Sequence, residues 1–149
     1  MPDVVSKEVR SRMMSGIRGK NTKPEMLIRK ELHARGFRFR LHRKDLPGRP
    51  DIVLPRHNAV IQVQGCFWHG HACQLFKYPE NNAAFWREKI HSNRERDART
   101  NAALIALGWR VLTVWECATR TPMLSQTHSA IADWLVSGRP SEDIGSSTK

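Results

Sequence analysis

The feature that most restricts how this chain can fold is the stretch GCFWHGHAC at positions 65–73, read together with Cys117. Cys66 and Cys73 bracket His69 and His71, glycines break the stretch into a loop, and Cys117 lies far downstream at the end of an expected strand. Structural zinc is held tetrahedrally by four thiolates and imidazoles, and three cysteines with one of the two histidines make up such a set. The segment MPDVVSKEVRSRMMSG has no apolar leader core, so the chain is expected to be soluble and cytoplasmic. In a reducing compartment three cysteines point to metal rather than to a disulfide framework. The metal would staple the loop onto the sheet. Spacing alone leaves open which histidine ligates, and the other becomes a candidate general acid or base.

Around this loop the chain reads as one domain of alternating elements. Residues 6–16 have helical character, and TKPE at 22–25 has the form of a capping box that opens a helix with Met26, Leu27, Ile28 and Leu32 on its apolar face. Phe37, Phe39 and Leu41 alternate with Arg38, Arg40 and His42, the pattern of a strand with one wet, basic face. DIVLP and AVIQVQ are short strands joined by RHN as a hairpin. A long helix is expected from about 82 to 107, with the polar run HSNRERDART facing solvent or a ligand. WRVLTVWE is a buried strand, 125–137 an amphipathic helix, and 138–149 a polar, disordered tail. This order predicts an α/β fold with a mixed central sheet flanked by helices. No apolar run approaches the roughly 20 residues of a membrane span.

Charge says more about partners than about fold. Of the net +11, residues 1–56 carry 15 Lys+Arg against 6 Asp+Glu, and the remainder is close to balance. A basic half that spans helix, strand and loop points to a polyanion, with nucleic acid the first candidate. Phe67 and Trp68 are either core or candidates to wedge into a base stack, Trp86 opens the long helix, and Trp109, Trp115 and Trp134 read as core.

Three carboxylates carry candidate chemistry. Asp51 follows Pro50 at the start of a strand beside a basic turn, where it could hold Mg²⁺ against a phosphate. Asp51 and the next strand have the layout of the PD-(D/E)xK nuclease core, but Gln62 and Gln64 stand where an acid and a lysine are usual. Asp97 lies in the polar run and could orient a catalytic histidine. Glu25 serves the capping box and could also reach an active-site metal.

RSRMMSGIRGKNTKPE, LPGRPDIV, GCFWHGHAC, FWREKIHSNRERD and LGWRVLTVWEC, in this order, resemble the very short patch repair (Vsr) mismatch endonucleases over residues 8 to 120. The resemblance implies a zinc-containing, restriction-endonuclease-like fold that nicks double-stranded DNA 5′ of the T in a T:G mismatch. It implies Cys66, His71, Cys73 and Cys117 as zinc ligands, and Asp51 with the backbone carbonyl of Val63 as Mg²⁺ ligands. His69 is left as the free histidine, paired with Asp97, and Glu25 matches a position beside the metal's waters. Phe67, Trp68 and Trp86 would enter the DNA from the major groove. Met14 and Ile17, on an N-terminal DNA-contacting arm (1–20) ahead of an endonuclease domain (21–137), would reach the minor groove. Family members act as monomers, cooperate with MutL-type repair proteins and work at the nucleoid. The family commonly has histidine where this chain has Gln64, which can hydrogen-bond a phosphate or water but carries no proton. Two other readings stand beside a nicking enzyme: a zinc-stapled mismatch-binding protein with little catalysis, and a restriction-type endonuclease that cuts matched sites.

Overall fold

The structure, a computed structural model, describes residues 22–71, 73, 79–121 and 123–145. The helix expected at 6–16, and with it Met14 and Ile17, lies outside these residues. Helix α1 (Lys23–Ala34) begins where the capping pattern places it. Thr22 Oγ1 accepts the Glu25 amide at 3.4 Å, and Pro24 sits in the first turn, where no amide donor is needed. Strands β1 (Arg40–Leu41), β2 (Ile52–Leu54) and β3 (Ala59–Gln64) form an antiparallel meander. The β2–β3 hairpin turns through a 3-10 turn at Pro55–His57 and a left-handed Asn58. Helix α2 (Ala83–Ala106) crosses over to β4 (Arg110–Trp115), which pairs parallel with β3. Helix α3 (Leu124–Ser137) leads to β5 (Glu142–Ile144), parallel with β4. The sheet order is β1-β2-β3-β4-β5.

Strand alternation sorts the apolar side chains onto two faces. Ile52, Leu54, Ala59, Ile61, Leu112 and Val114 pack with Ile28 and Leu32 of α1 and with Ile131, Trp134 and Leu135 of α3. Val53, Val60 and Val111 face the other way, against Leu104 of α2. The result is the mixed sheet flanked by helices that the sequence predicts. Among the described residues no helix is long and apolar enough to cross a membrane.

Two expectations change. The strand expected from Phe37 shrinks to Arg40–Leu41, because Phe37–Phe39 lie outside the ladder while still packing on the core. The tail expected to be disordered from 138 carries β5. Its polar sequence hides the pairing, because neighbours supply the partners. Trp134 Nε1 donates to Pro140 O at 2.8 Å, Ser141 Oγ accepts the Val111 amide at 2.9 Å, and Arg110 Nη1 donates to Arg139 O at 2.9 Å.

Candidate functional site

The loop after β3 begins as a helical turn. His69 and His71 amides donate to Gly65 O and Cys66 O at 3.2 and 3.0 Å. Gly70 separates the two histidines at φ +63, and a Cβ there would stand 2.7 Å from Ile90 Cγ2 of α2. Only glycine satisfies both demands. The reversal sends the two imidazoles to different destinations.

His71 joins Cys66, Cys73 and Cys117, and the four donor atoms lie within 4.8 Å of one another. His71 Nδ1 is 3.6 Å from Cys66 Sγ and 3.5 Å from Cys117 Sγ. A tetrahedron with metal–sulfur and metal–nitrogen arms of about 2.3 and 2.0 Å has such edges at roughly 3.6 Å. The Cys117 amide points at Cys66 Sγ from 3.4 Å, an N–H that favours thiolate over thiol. Burial pushes the Cys66 thiol well up from its ordinary pKa and lowers that of His71. Neutral imidazole is the form a metal takes, and a cation is what buried thiolates lack. The set fits a metal ion. Trp115, expected as core, instead stacks on the His71 ring at 4.2 Å and 8°.

His69 turns the other way. Its Nδ1 bonds Asp97 Oδ2 on α2, and both side chains are about one-fifth exposed. Asn93, one helical turn before Asp97, donates Nδ2 to Trp68 O at 2.8 Å and accepts Arg96 Nη2 at 3.1 Å. Asn93 therefore fixes the loop against α2. It was not singled out in the sequence, although its spacing of four from Asp97 puts both on one helix face.

Asp51 lies just ahead of β2, and its Oδ2 accepts the Val63 amide at 2.8 Å. Glu25, nearly fully buried, accepts from His42 Nε2 at 2.8 Å and from Arg29 Nη1 at 3.3 Å on the same oxygen. Glu25, His42 and Asp51 form a second group able to hold a cation, and alternation alone had assigned His42 to a wet strand face. Burial raises Asp51 to about 6; the Glu25 charge adds to the rise, and the Val63 amide, His42 and His69 oppose it. Gln64 is buried and donates to Gln62 Oε1 at 3.3 Å, while Gln62 donates to Asn101 Oδ1 at 3.0 Å. The two glutamines thus form a neutral chain to Asn101 rather than presenting charge.

Glu25, Asp51, Gln64, His69 and Asp97 all line one open cleft of about 1210 Å³, with Phe67 and Trp68 on its wall and Lys44, Arg49, Arg96 and Arg120 among its cations. Phe67, Trp68 and Trp86 touch edge to face at centroid distances of 5.2, 5.4 and 5.7 Å.

The family model described as DNA mismatch endonuclease Vsr matches residues 2–75. A type II nicking enzyme of Xanthomonas oryzae, V.XorIIP, is 53% identical over 78% of this chain and 86% of its own length. The DNA mismatch endonuclease Vsr of Escherichia coli is 48% identical over 80% of this chain and 77% of its own. The chain belongs to the Vsr family of DNA mismatch endonucleases. This Vsr-family chain is therefore a DNA endonuclease, a phosphodiester hydrolase. The catalytic domain of the homing endonuclease I-Bth0305I superposes with a TM-score of 0.54 at 18% identity, covering 79% of this chain and 98% of that one, a likeness of fold.

Proposed function

We propose that this chain nicks double-stranded DNA 5′ of the T in a T:G mismatch and leaves 3′-hydroxyl and 5′-phosphate ends, starting very short patch repair. The observation that carries the reading is one cleft holding both a carboxylate-bound histidine and a buried carboxylate cluster, beside an aromatic trio.

Asp97 holds His69 by its Nδ1, which leaves Nε2 to take a proton from an attacking water, and the Asp97 charge favours the imidazolium that results. Asp51, with the Val63 carbonyl, would hold Mg²⁺, and Glu25 would orient the water around it. Mg²⁺ supplies Lewis-acid stabilisation of charge on the scissile phosphate. Cys66, His71, Cys73 and Cys117 would hold Zn²⁺ as a structural staple. Phe67, Trp68 and Trp86 would open the base step, at less cost beside a mismatch than in a matched duplex. Met14 and Ile17 would act from the minor groove. Monomeric action with a MutL-type partner at the nucleoid belongs to the same reading.

Nicking of T:G and matched duplexes, labelled on each strand, with and without Mg²⁺, is the test. Cleavage confined to the T strand of the mismatch and dependent on Mg²⁺ is expected. Mismatch binding with negligible cleavage would favour a binding protein instead, a reading that the neutral Gln62–Gln64 pair supports. Equal cutting of matched duplex would make it a restriction-type enzyme.

A further inference from the structure

We propose that His42 is a third donor of the cleft's cation site beside the Asp51 and Glu25 carboxylates, which places Glu25 on the ion itself rather than on its water. The inference rests on the cation-assisted hydrolysis proposed above and concerns which donors hold the ion.

His42 follows β1 directly, and its backbone adopts φ +47, a left-handed conformation that non-glycine residues seldom take. Its amide donates to Asp51 O at 3.1 Å, tying it to the residue that opens β2. The imidazole, only 14% exposed, then meets the first turn of α1 instead of continuing the wet strand face. Donor atoms from Glu25, His42 and Asp51 lie within 4.8 Å of one another. Neighbouring donors on an octahedral cation with arms of about 2.1 Å stand roughly 3.0 Å apart, and opposite donors about 4.2 Å. The His42 Nε2 to Glu25 Oε2 distance of 2.8 Å is close to the first of these.

Three elements converge here: the N-terminal turn of α1, the residue that follows β1 and the residue that precedes β2. Glu25 is 1% exposed and holds its carboxylate against His42 and Arg29. A carboxylate–imidazole set accepts Mn²⁺ and other imidazole-binding ions more readily than an all-oxygen site, to which Mg²⁺ is suited. The alternative is that Nε2 only donates a hydrogen bond to Glu25. That arrangement positions the carboxylate and leaves no nitrogen on the metal.

Electron spin echo envelope modulation separates the two. The full chain, zinc-loaded and free of DNA, is titrated with Mn²⁺, and ¹⁴N modulation from a directly bound imidazole is sought. His42→Gln keeps a hydrogen-bond donor for Glu25 but cannot supply the imidazole. Nitrogen modulation in the parent that disappears in H42Q, with Mn²⁺ affinity lowered about tenfold, is the expected result. Absence of nitrogen modulation with Mn²⁺ bound, or modulation that survives H42Q, overturns the proposal. Because no DNA is present, a failure of T:G-specific nicking leaves this outcome untouched, and the reverse holds as well.

Discussion

The two metal-capable clusters solve opposite problems. The thiol cluster draws three of its donors from one loop and the fourth from beyond β4, and its sulfurs are buried. The carboxylate cluster draws on three separate elements and opens onto the cleft. With a metal bound, the first would be a closed fastening that fixes where His69, Phe67 and Trp68 stand. The second borders the cleft through Glu25 and Asp51, and its donors are held by the fold before any ion arrives. Removing metal should therefore unfold one region and only silence the other.

The sharpest way to break this comparison is at Cys117. Cys117→Ser removes the donor that joins the loop to the sheet, and structural zinc sites contribute on the order of 10 kcal/mol to small zinc domains. The variant is expected to lose its metal and much of its cooperative unfolding, read by elemental analysis and calorimetry. A Cys117→Ser protein that melts like the parent would make the cluster ornamental.

Asp51→Asn should do the reverse. Nicking is expected to fall by a factor of about 10² to 10³, as for loss of a principal electrostatic group, while the fold gains stability. The sign follows from the raised pKa. Between about 4 and 6 the folded protein holds the Asp51 proton more tightly than the unfolded chain, so stability falls as pH rises through that window. Without added Mg²⁺ this loss is on the order of 1–3 kcal/mol. Melting temperatures across pH 4 to 8 should show the parent declining relative to Asp51→Asn and a constant difference above about pH 7. A parent-minus-variant difference that is flat in pH would contradict the burial argument.

The same contrast explains what could be read in the sequence. Donors crowded into one loop are visible, because Cys66, His71 and Cys73 are neighbours and their chemistry is rare. The unbroken apolar runs Ile52–Leu54 and Ala59–Ile61 likewise give away the sheet, since a side chain on either face has a core to fill. His42 and Asn93 escape notice for a shared reason. Each acts through a partner remote in sequence, Glu25 for one and the Trp68 carbonyl for the other. His42 is further concealed by a left-handed backbone that breaks the strand period on which the reading depends. β5 is hidden by composition: Glu142-Asp143-Ile144 offers a single apolar residue, too little to mark a strand, and pairing with β4 together with Ile144 against the core orders it.

Trp68→Ala tests whether the stiff loop exists to present aromatics. Loss of one stacking ring is expected to weaken T:G duplex binding by about 1–3 kcal/mol while zinc content is unchanged. Filter binding against matched duplex measures it. Unchanged mismatch affinity would return Phe67, Trp68 and Trp86 to the role of a packing cluster.

The smallest effect is expected at Gln64. Its amide donates to Gln62, which in turn donates to Asn101, so the side chain is committed to a neutral ladder across β3 to α2. Asp97 is bonded to His69 and not to position 64, which leaves His69 as the imidazole equipped for proton transfer. Gln64→His should then change the single-turnover nicking rate by less than about tenfold, whereas His69→Ala should lower it by a factor of about 10² to 10⁴. If Gln64→His instead raised the rate a hundredfold and made His69→Ala tolerable, the proton would pass through position 64. The stiff loop would then serve mainly to carry its aromatics.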